Sequence, residues 1–196
     1  MARMVKHMKI IDSSFDWKGS LKKRNKTEYI ILHHRTADGD VLSIHNGHIA
    51  NGWSGIGYHF YVRKDGSVYR GRPIAMEGAH CTGYNGNSVG VCFEGNYQTE
   101  NQMPEAQKRA GKDVISYLKN VYPKAQVRKH CDFVSTACPG VKFPFDEIRK
   151  GVTEMSVEEA IEIVQAKAGL EDGTIEFLLC YKYGEELILK LAEAMI

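Results

Sequence analysis

The chain has 196 residues, of which 43% are hydrophobic and 26% are charged. These values are ordinary for a soluble globular protein with one domain of common size and a small appendage. No apolar run approaches the ~20 residues that a membrane span requires, which argues against stable membrane insertion. No apolar stretch follows the basic residues near the start, so the sequence predicts synthesis in the cytoplasm without a secretory signal.

The charge is distributed unevenly along the chain, although the formal net charge is only +2. Residues 1–150 contain 23 Lys and Arg against 14 Asp and Glu, whereas residues 151–196 contain 3 against 10. The pattern of apolar residues also changes at this point. We therefore expect a domain boundary near residue 150, followed by a small acidic region.

Strands and helices are predicted to alternate over the first 150 residues. Short apolar runs indicate strands at Glu28 to His34, Tyr58 to Val62, Ser67 to Arg70, Ser88 to Glu94 and Lys124 to Arg128. An Asp-Gly pair joins the second and third runs, which is typical of a hairpin. Apolar residues at helical spacing predict helices at Val41 to Asn51, Pro104 to Val121 and Phe145 to Lys150. This alternation predicts an α/β fold with a mixed central β-sheet flanked by helices.

Residues 151–196 contain only helix signals. Ser156 and Glu159 form a capping box for a first helix. Thr174 is a candidate cap for a second helix, and Gly184 separates a third helix at Glu185 to Ile196. The sequence therefore predicts a small C-terminal all-helical region.

Metal-capable side chains occur where two predicted strands end. His33 closes the first strand, and His130 and Cys138 follow the last one. Catalytic zinc sites use three nitrogen, sulfur or oxygen ligands and leave a fourth position open. The five cysteines are odd in number and lack a disulfide framework, which favours reduced thiols. From spacing alone, histidines at strand ends are more often simply hydrogen-bonded than metal-bound.

Four sequence blocks lie in a fixed order and cover roughly Glu28 to Lys150: ILHHRTAD, GWSGIGYHFYVRKDGSVYRGRP, GAHCTGYNGNSVGVCFEGNY and HCDFVSTACPG. Together they resemble the type 2 N-acetylmuramoyl-L-alanine amidases. That family shares its fold with animal peptidoglycan recognition proteins and with short phage amidases. The resemblance implies zinc-dependent hydrolysis of the amide bond between N-acetylmuramic acid and L-alanine in peptidoglycan.

The resemblance implies that His33, His130 and Cys138 bind Zn²⁺. It also implies that Tyr58 is catalytic, as a phenol that orients water or donates to the developing oxyanion. Thr136 occupies a position where some phage members have lysine, and its hydroxyl is a candidate second donor. Bound zinc lowers the pKa of water to about 7 and polarises the scissile carbonyl.

Residues beside the implied ligands receive separate predictions. His34 is expected to face away from His33, because successive strand residues point to opposite faces. Cys131 is expected to lie in the core. Glu94 is an alternative acid–base residue on the strand face of Cys92, which stands where cytosolic recycling amidases of similar sequence often have glutamate.

Five loop residues are predicted to bind the substrate. Aromatic faces suit sugar rings, and arginine suits peptide carboxylates. The resemblance adds a groove histidine to this set. The residues are His80, Trp53, Arg72, Tyr84 and Asn85. The alternative is fold packing for Trp53 and Tyr84 and a loop hydrogen bond for Asn85.

The resemblance leaves several biological roles open. A phage or prophage endolysin or a bacterial autolysin would act on the cell wall, the endolysin after release through a holin-type pore. The alternatives are a cytosolic amidase that recycles soluble muropeptides and a non-catalytic peptidoglycan-binding module. A nucleic-acid partner is not expected, because no recognised motif or basic stripe with aromatics appears. For residues 151–196 we weigh wall targeting, self-association as a homodimer and packing onto the catalytic domain.

Overall fold

The computed structural model describes residues 10–151 and 157–195. The chain divides into two compact units, and the division falls between residues 152 and 153. The first unit contains a sheet and its flanking helices, and the second contains helices alone. The predicted α/β fold with a small helical C-terminal region is confirmed.

One mixed sheet organises the first unit. Its strands are β1 (Ile10–Asp12), β2 (Tyr29–His34), β3 (Phe60–Val62), β4 (Val68–Arg70), β5 (Ser88–Phe93) and β6 (Gln126–Lys129). Their order across the sheet is β1-β4-β3-β5-β2-β6. The β3–β4 hairpin is antiparallel, whereas the other neighbouring pairs are parallel.

Strand β2 lies between β5 and β6, and its carboxyl end carries the candidate ligand His33. Ile30, Ile31 and Leu32 are fully buried, as expected for a central parallel strand covered on both faces. His33 follows them near the carboxyl end of β2. Because β6 runs parallel beside β2, its carboxyl end delivers His130 to the same edge.

Helices cover both faces of this sheet. They are α1 (Val41–Ala50), α2 (Glu105–Val121) and α3 (Phe145–Ile148). Val114 and Leu118 of α2 belong to the same apolar cluster as Phe93. Ile44 of α1 packs with Tyr61 in a second cluster, which is separate from the first. Across the described residues, no helix combines the length and apolar character that a bilayer span needs.

The second unit contains α4 (Val157–Ala168), α5 (Asp172–Leu179) and α6 (Gly184–Met195). Small and branched apolar side chains form its core: Ala160, Val164, Ile175, Ile188 and Ala192. Each helix contributes to this cluster, so the short helices bury their apolar faces against one another.

Three details differ from the sequence-based expectations or lie beyond the described residues. Strand β1 was not predicted, because three residues are too few to show a pattern. Thr174 is not a cap, since α5 begins at Asp172 with Glu171 in the capping position. The predicted capping box falls on Ser156, which lies outside the described residues.

The packing of α2 on the sheet can be tested by a substitution at Gly111. A Cβ atom at Gly111 would lie 2.6 Å from Cε1 of Phe93. Alanine normally gains about 1 kcal/mol over glycine in a helix interior, but overpacking a core costs about 1–3 kcal/mol. We expect Gly111→Ala to lower the free energy of unfolding by about 1 kcal/mol, measured by urea denaturation. Tryptophan fluorescence reports on this unit, because both Trp17 and Trp53 lie in it.

Gly47→Ala is the matched control. Gly47 lies in α1, and a Cβ atom there would meet no atom within 4 Å. This change should therefore raise the free energy of unfolding by about 0.5–1 kcal/mol. Equal stabilisation by both substitutions would contradict the close contact between α2 and Phe93.

Candidate active site

His33, His130 and Cys138 meet at the carboxyl edge of the sheet. One ring nitrogen of each histidine and Sγ of Cys138 all lie within 4.8 Å of one another. Over residues 10–151 and 157–195, no other group of His, Cys, Asp or Glu side chains shows a comparable metal-binding geometry. The structure thus brings together the three residues that the sequence singled out as ligands.

The two histidines come from neighbouring parallel strands. His33 is buried near the end of β2. His130 directly follows β6 and begins a 3₁₀ turn, His130–Asp132. The Asp132 carboxylate accepts the backbone N–H of Lys129 at 3.0 Å, which fixes the start of this turn. The centroids of the two imidazole rings are consequently 4.4 Å apart.

Cys138 reaches the site from the loop that follows this turn. Its carbonyl accepts the backbone N–H of Cys131 at 3.0 Å. Its own N–H donates to Oγ1 of Thr136 at 3.3 Å. Sγ of Cys138 accepts the backbone N–H of His34 at 3.4 Å, so the thiol is held beside the end of β2.

The protonation of the three groups suits a metal ion. Burial lowers the pKa of His33 well below its ordinary value, and the neighbouring His130 adds to this shift. Burial also lowers the pKa of His130. Neutral imidazoles therefore offer lone pairs at neutral pH. Burial raises the pKa of Cys138 to about 12, so a metal ion must displace the thiol proton. The imidazole and sulfur donors fit a zinc-type ion.

The two ring nitrogens of His33 have different partners. Nδ1 lies 3.8 Å from Sγ of Cys138, on the side of the candidate metal position. Nε2 lies 3.0 Å from Nδ1 of His80. His80 is buried behind His33 and does not line the groove. His80 therefore contacts a candidate ligand, and its predicted contact with the substrate stays a prediction.

Tyr58 and Thr136 flank the ligand cluster. The Tyr58 ring centroid lies 5.2 Å from that of His33. Burial raises the pKa of Tyr58 well above its ordinary value, and the thiols of Cys92 and Cys138 add to this shift. The phenol is thus neutral and able to donate a hydrogen bond. Thr136 is exposed and lines the same groove as Tyr58.

An open groove of about 470 Å³ lies in front of the ligand cluster. Besides the residues already described, Arg35, Thr36, Asn96 and Gln98 line it. None of these four was predicted from the sequence as a site residue. They follow the carboxyl ends of β2 and β5, and ligands commonly bind outside that end of parallel strands. This rule is the signal that could have identified them.

Arg72 and Trp53 do not line the groove. Arg72 is buried and donates to the carbonyls of Ile56 at 3.0 Å and Glu77 at 2.9 Å. The guanidinium therefore holds two loops together, and its predicted contact with a peptide carboxylate stays a prediction. Trp53 is 43% exposed and packs on His48, with 4.6 Å between ring centroids.

Tyr84 and Asn85 also serve the fold. The Tyr84 ring packs on Phe133, with centroids 4.3 Å apart. Oδ1 of Asn85 accepts the backbone N–H groups of His80 at 2.8 Å and Cys81 at 2.9 Å. Neither residue lines the groove. In the structure both residues make the contacts that were given as alternatives to substrate binding, namely ring packing for Tyr84 and loop hydrogen bonds for Asn85.

His34 points away from His33, as strand alternation predicted. Its Nδ1 accepts the backbone N–H of Tyr97 at 3.0 Å. The prediction that Cys131 lies in the core is wrong, because Cys131 is exposed. Cys131 belongs to the 3₁₀ turn rather than to β6, so strand alternation does not bury it.

Glu94 is buried at the end of β5, where its carboxylate has backbone partners. It accepts the N–H groups of Gly39 at 2.9 Å and Lys64 at 2.8 Å. Nε of Arg63 lies 3.4 Å from the same carboxylate. These contacts tie two loops to the sheet and give Glu94 a structural role.

Comparison with known proteins identifies the family to which this chain belongs. The model of the N-acetylmuramoyl-L-alanine amidase family matches residues 23–141, which include the three candidate ligands, Tyr58 and Thr136. The chain belongs to the N-acetylmuramoyl-L-alanine amidase family and is an amidase.

Individual relatives agree with this assignment. The endolysin of Enterobacteria phage K11 is 37% identical over 126 residues, covering 60% of this chain and 83% of that protein. The structure of the endolysine N-acetylmuramoyl-L-alanine amidase LysCS from Clostridium intestinale URNW is 38% identical. It has a TM-score of 0.70 and covers 74% of this chain and 95% of LysCS. The matching chain in the structure of tracheal cytotoxin bound to the ectodomain complex of peptidoglycan recognition proteins LCa and LCx is 26% identical in sequence to this chain. Its TM-score is 0.65, over 73% of this chain and 96% of that chain.

Proposed function

We propose that this protein is a zinc-dependent amidase that hydrolyses the bond between N-acetylmuramic acid and L-alanine in peptidoglycan. The observation that carries this proposal is the convergence of His33, His130 and Cys138 at the head of an open groove. The similarity to a phage endolysin and to LysCS supports action on the cell wall as a phage or prophage endolysin or a bacterial autolysin.

The ligand set defines what the metal would contribute. His33, His130 and Cys138 would hold Zn²⁺, since two imidazoles and one thiolate form a three-ligand set of the kind that catalytic zinc sites use. Bound Zn²⁺ supplies hydroxide near neutral pH and polarises the scissile carbonyl as a Lewis acid. Because the two imidazoles are neutral and only the thiolate is anionic, this ligand set leaves a net positive charge on the site. A positive site favours an oxygen that becomes negative during amide hydrolysis.

Tyr58 and Thr136 supply hydrogen-bond donors in this mechanism. The neutral Tyr58 phenol donates to the oxygen that develops negative charge, or orients the attacking water. The Thr136 hydroxyl accepts from Cys138 N–H, so its own proton is available for the groove side. Both donors are neutral, whereas some related phage enzymes have a lysine at the position of Thr136.

The groove accommodates an extended substrate. Its lining is rich in side chains that form hydrogen bonds, including Arg35, Asn96 and Gln98, which suit the amides and carboxylates of a stem peptide. The ring of His48 lies beside Tyr58, and the exposed ring of Trp53 packs on His48. The three rings form an aromatic row. This row remains our candidate contact for a sugar ring.

The same hydrolysis would serve either of two biological roles, which differ in how the enzyme reaches its substrate. An endolysin would reach the wall through a holin-type pore, whereas a recycling amidase would act on soluble muropeptides. Turnover of intact sacculi supports the endolysin or autolysin role. Turnover of soluble fragments alone would assign the protein to recycling, and wall binding without turnover would assign it to a binding module.

Cys138→Ser should remove zinc and amidase activity together, because an alcohol is a far poorer zinc ligand than a thiolate. Cys131→Ser is the matched control, since Cys131 is an exposed neighbouring thiol outside the ligand cluster. Zinc content is measured by elemental analysis, and activity by the release of new L-alanine amino termini from purified walls. Stoichiometric zinc in Cys138→Ser would show that the ligand set is wrong.

Tyr58→Phe should retain zinc and lose a factor of roughly 10²–10³ in kcat, the loss expected for one oxyanion donor. The ring still packs beside His33, so only the hydroxyl is removed. Tyr84→Phe serves as the control, because the Tyr84 ring packs on Phe133 away from the groove. A Tyr58→Phe enzyme with a kcat within twofold of wild type would reduce Tyr58 to a packing residue.

We also propose that the second unit targets the wall. Phe177, Tyr181 and Tyr183 are each more than half exposed, and aromatic rings stack on sugars. Residues 151–196 carry an excess of acidic groups, which favours a neutral glycan or peptide over anionic wall polymers.

Replacing both Tyr181 and Tyr183 by alanine in the full chain should reduce sedimentation with intact walls, because the stacking surface is lost. Cleavage of soluble muropeptides should not change. Glu162→Ala changes an exposed residue of α4 and is the control. Unchanged wall binding by the double variant would contradict targeting through this surface. A shift from dimer to monomer would instead identify the surface as a homodimer contact.

A further inference from the structure

A row of hydrogen-bonding groups runs from the ligand cluster into the interior. Nε2 of His33 lies 3.0 Å from Nδ1 of His80. On the other side of the His80 ring, Nε2 lies 3.4 Å from Oγ of Ser88. Oγ of Ser88 in turn donates to the carbonyl of Tyr84 at 2.6 Å. The row therefore connects a candidate ligand to a backbone carbonyl through one imidazole and one hydroxyl.

The fold provides a narrow slot for the His80 ring. A Cβ atom at Gly78 would lie 2.3 Å from Cδ2 of His80, and one at Gly90 would lie 2.6 Å from Cγ. Glycine at both positions leaves room for the flat imidazole and for little else. The backbone N–H of His80 is held at 2.8 Å by Oδ1 of Asn85. The ring is thus fixed in position and in orientation.

The positions of the protons along this row follow from the group at its interior end, the carbonyl of Tyr84. A carbonyl only accepts, so the single hydroxyl proton of Ser88 is committed to Tyr84. Oγ of Ser88 can therefore only accept from the His80 ring, which places the His80 proton on Nε2. A buried imidazole without a carboxylate partner is neutral, so Nδ1 of His80 is an acceptor. His33 must then donate from Nε2.

The neighbouring His59 does not disturb this order. Its ring centroid lies 5.7 Å from that of His80. Nδ1 of His59 accepts the backbone N–H of Gly90 at 2.9 Å, and Nε2 faces the carbonyl of Met76 at 2.9 Å. Both ring nitrogens of His59 are thus engaged with backbone groups, and its tautomer is fixed independently.

We propose that Ser88 and His80 form a relay that fixes His33 as the Nε2–H tautomer and directs its Nδ1 lone pair at the metal. His80 is a positioning residue, since it acts through His33 and does not line the groove. The inference rests on the proposed function, because it assigns a role to a residue that supports a metal ligand. Without the relay, His33 would populate both neutral tautomers, one of which carries a proton on the ligating nitrogen.

Outer hydrogen-bond partners of metal ligands typically contribute a factor of roughly 10–100 in metal affinity. His80→Leu removes the acceptor for His33 and should weaken zinc binding by about this factor. His80→Asn places an amide oxygen near the position of Nδ1 and should restore most of the affinity. Ser88→Ala removes only the hydroxyl, so it tests the relay with little change in packing.

Two measurements on the full-length chain test the relay. Competition with a chromophoric chelator gives the zinc dissociation constant of each variant. In the metal-free protein, ¹⁵N–¹H correlation spectra of the imidazole rings distinguish Nδ1–H from Nε2–H tautomers. We expect the Nε2–H form for both His33 and His80 in the wild type, and a mixture of His33 tautomers in His80→Leu.

An Nδ1–H tautomer of His33 in the wild type would overturn the relay. Equal zinc affinities of folded His80→Leu and His80→Asn would also overturn it, because the hydrogen bond would then be irrelevant. If His80→Leu does not fold, Ser88→Ala decides: unchanged His80 and His33 tautomers together with zinc affinity within twofold of wild type reject the relay. A wild-type chain that binds no zinc would refute the proposed function, whereas the tautomers would still test the relay.

Discussion

The pairing of β2 with β5 and β6 is the constraint on which the site depends. Each strand contributes a residue to the candidate site at or just beyond its carboxyl end: His33 from β2, His130 after β6 and the groove residue Asn96 after β5. Because the strands are parallel, residues distant in sequence are delivered to one edge. The buried backbone ladder makes this edge rigid, as a precise metal site requires.

Strand alternation then assigns neighbouring residues to different roles. His33 faces Cys138 and the groove, whereas His34 accepts a backbone hydrogen bond from Tyr97 on the other side. Cys92, paired with His33 across the sheet, is buried beside Tyr58. A slip of one residue in β2 would exchange the two histidines and destroy both arrangements.

The sequence predicts the parts of the fold that repeat a pattern and the ligand cluster that a family motif marks. Strands β2 and β5 contain apolar runs, and α2 contains apolar residues at helical spacing. These patterns are long enough to predict the three elements directly. The packing of Arg72 and Tyr84 could not be predicted, because residue types that suit a ligand also suit a loop core. Their partners are loop carbonyls or rings that no local pattern reveals. For His80, the decisive information is the slot between Gly78 and Gly90, which exists only in three dimensions.

In the proposed mechanism, a positively charged ion lies between neutral imidazoles and a thiolate, with neutral donors facing the groove. The mechanism depends on the identity of the ligand atoms. Crystals of the zinc-loaded protein, measured above and below the zinc absorption edge, locate the metal directly. We expect one anomalous peak per chain, bonded to Nδ1 of His33, a ring nitrogen of His130 and Sγ of Cys138. A peak bonded to other residues, or no peak in an active protein, would contradict the proposed mechanism.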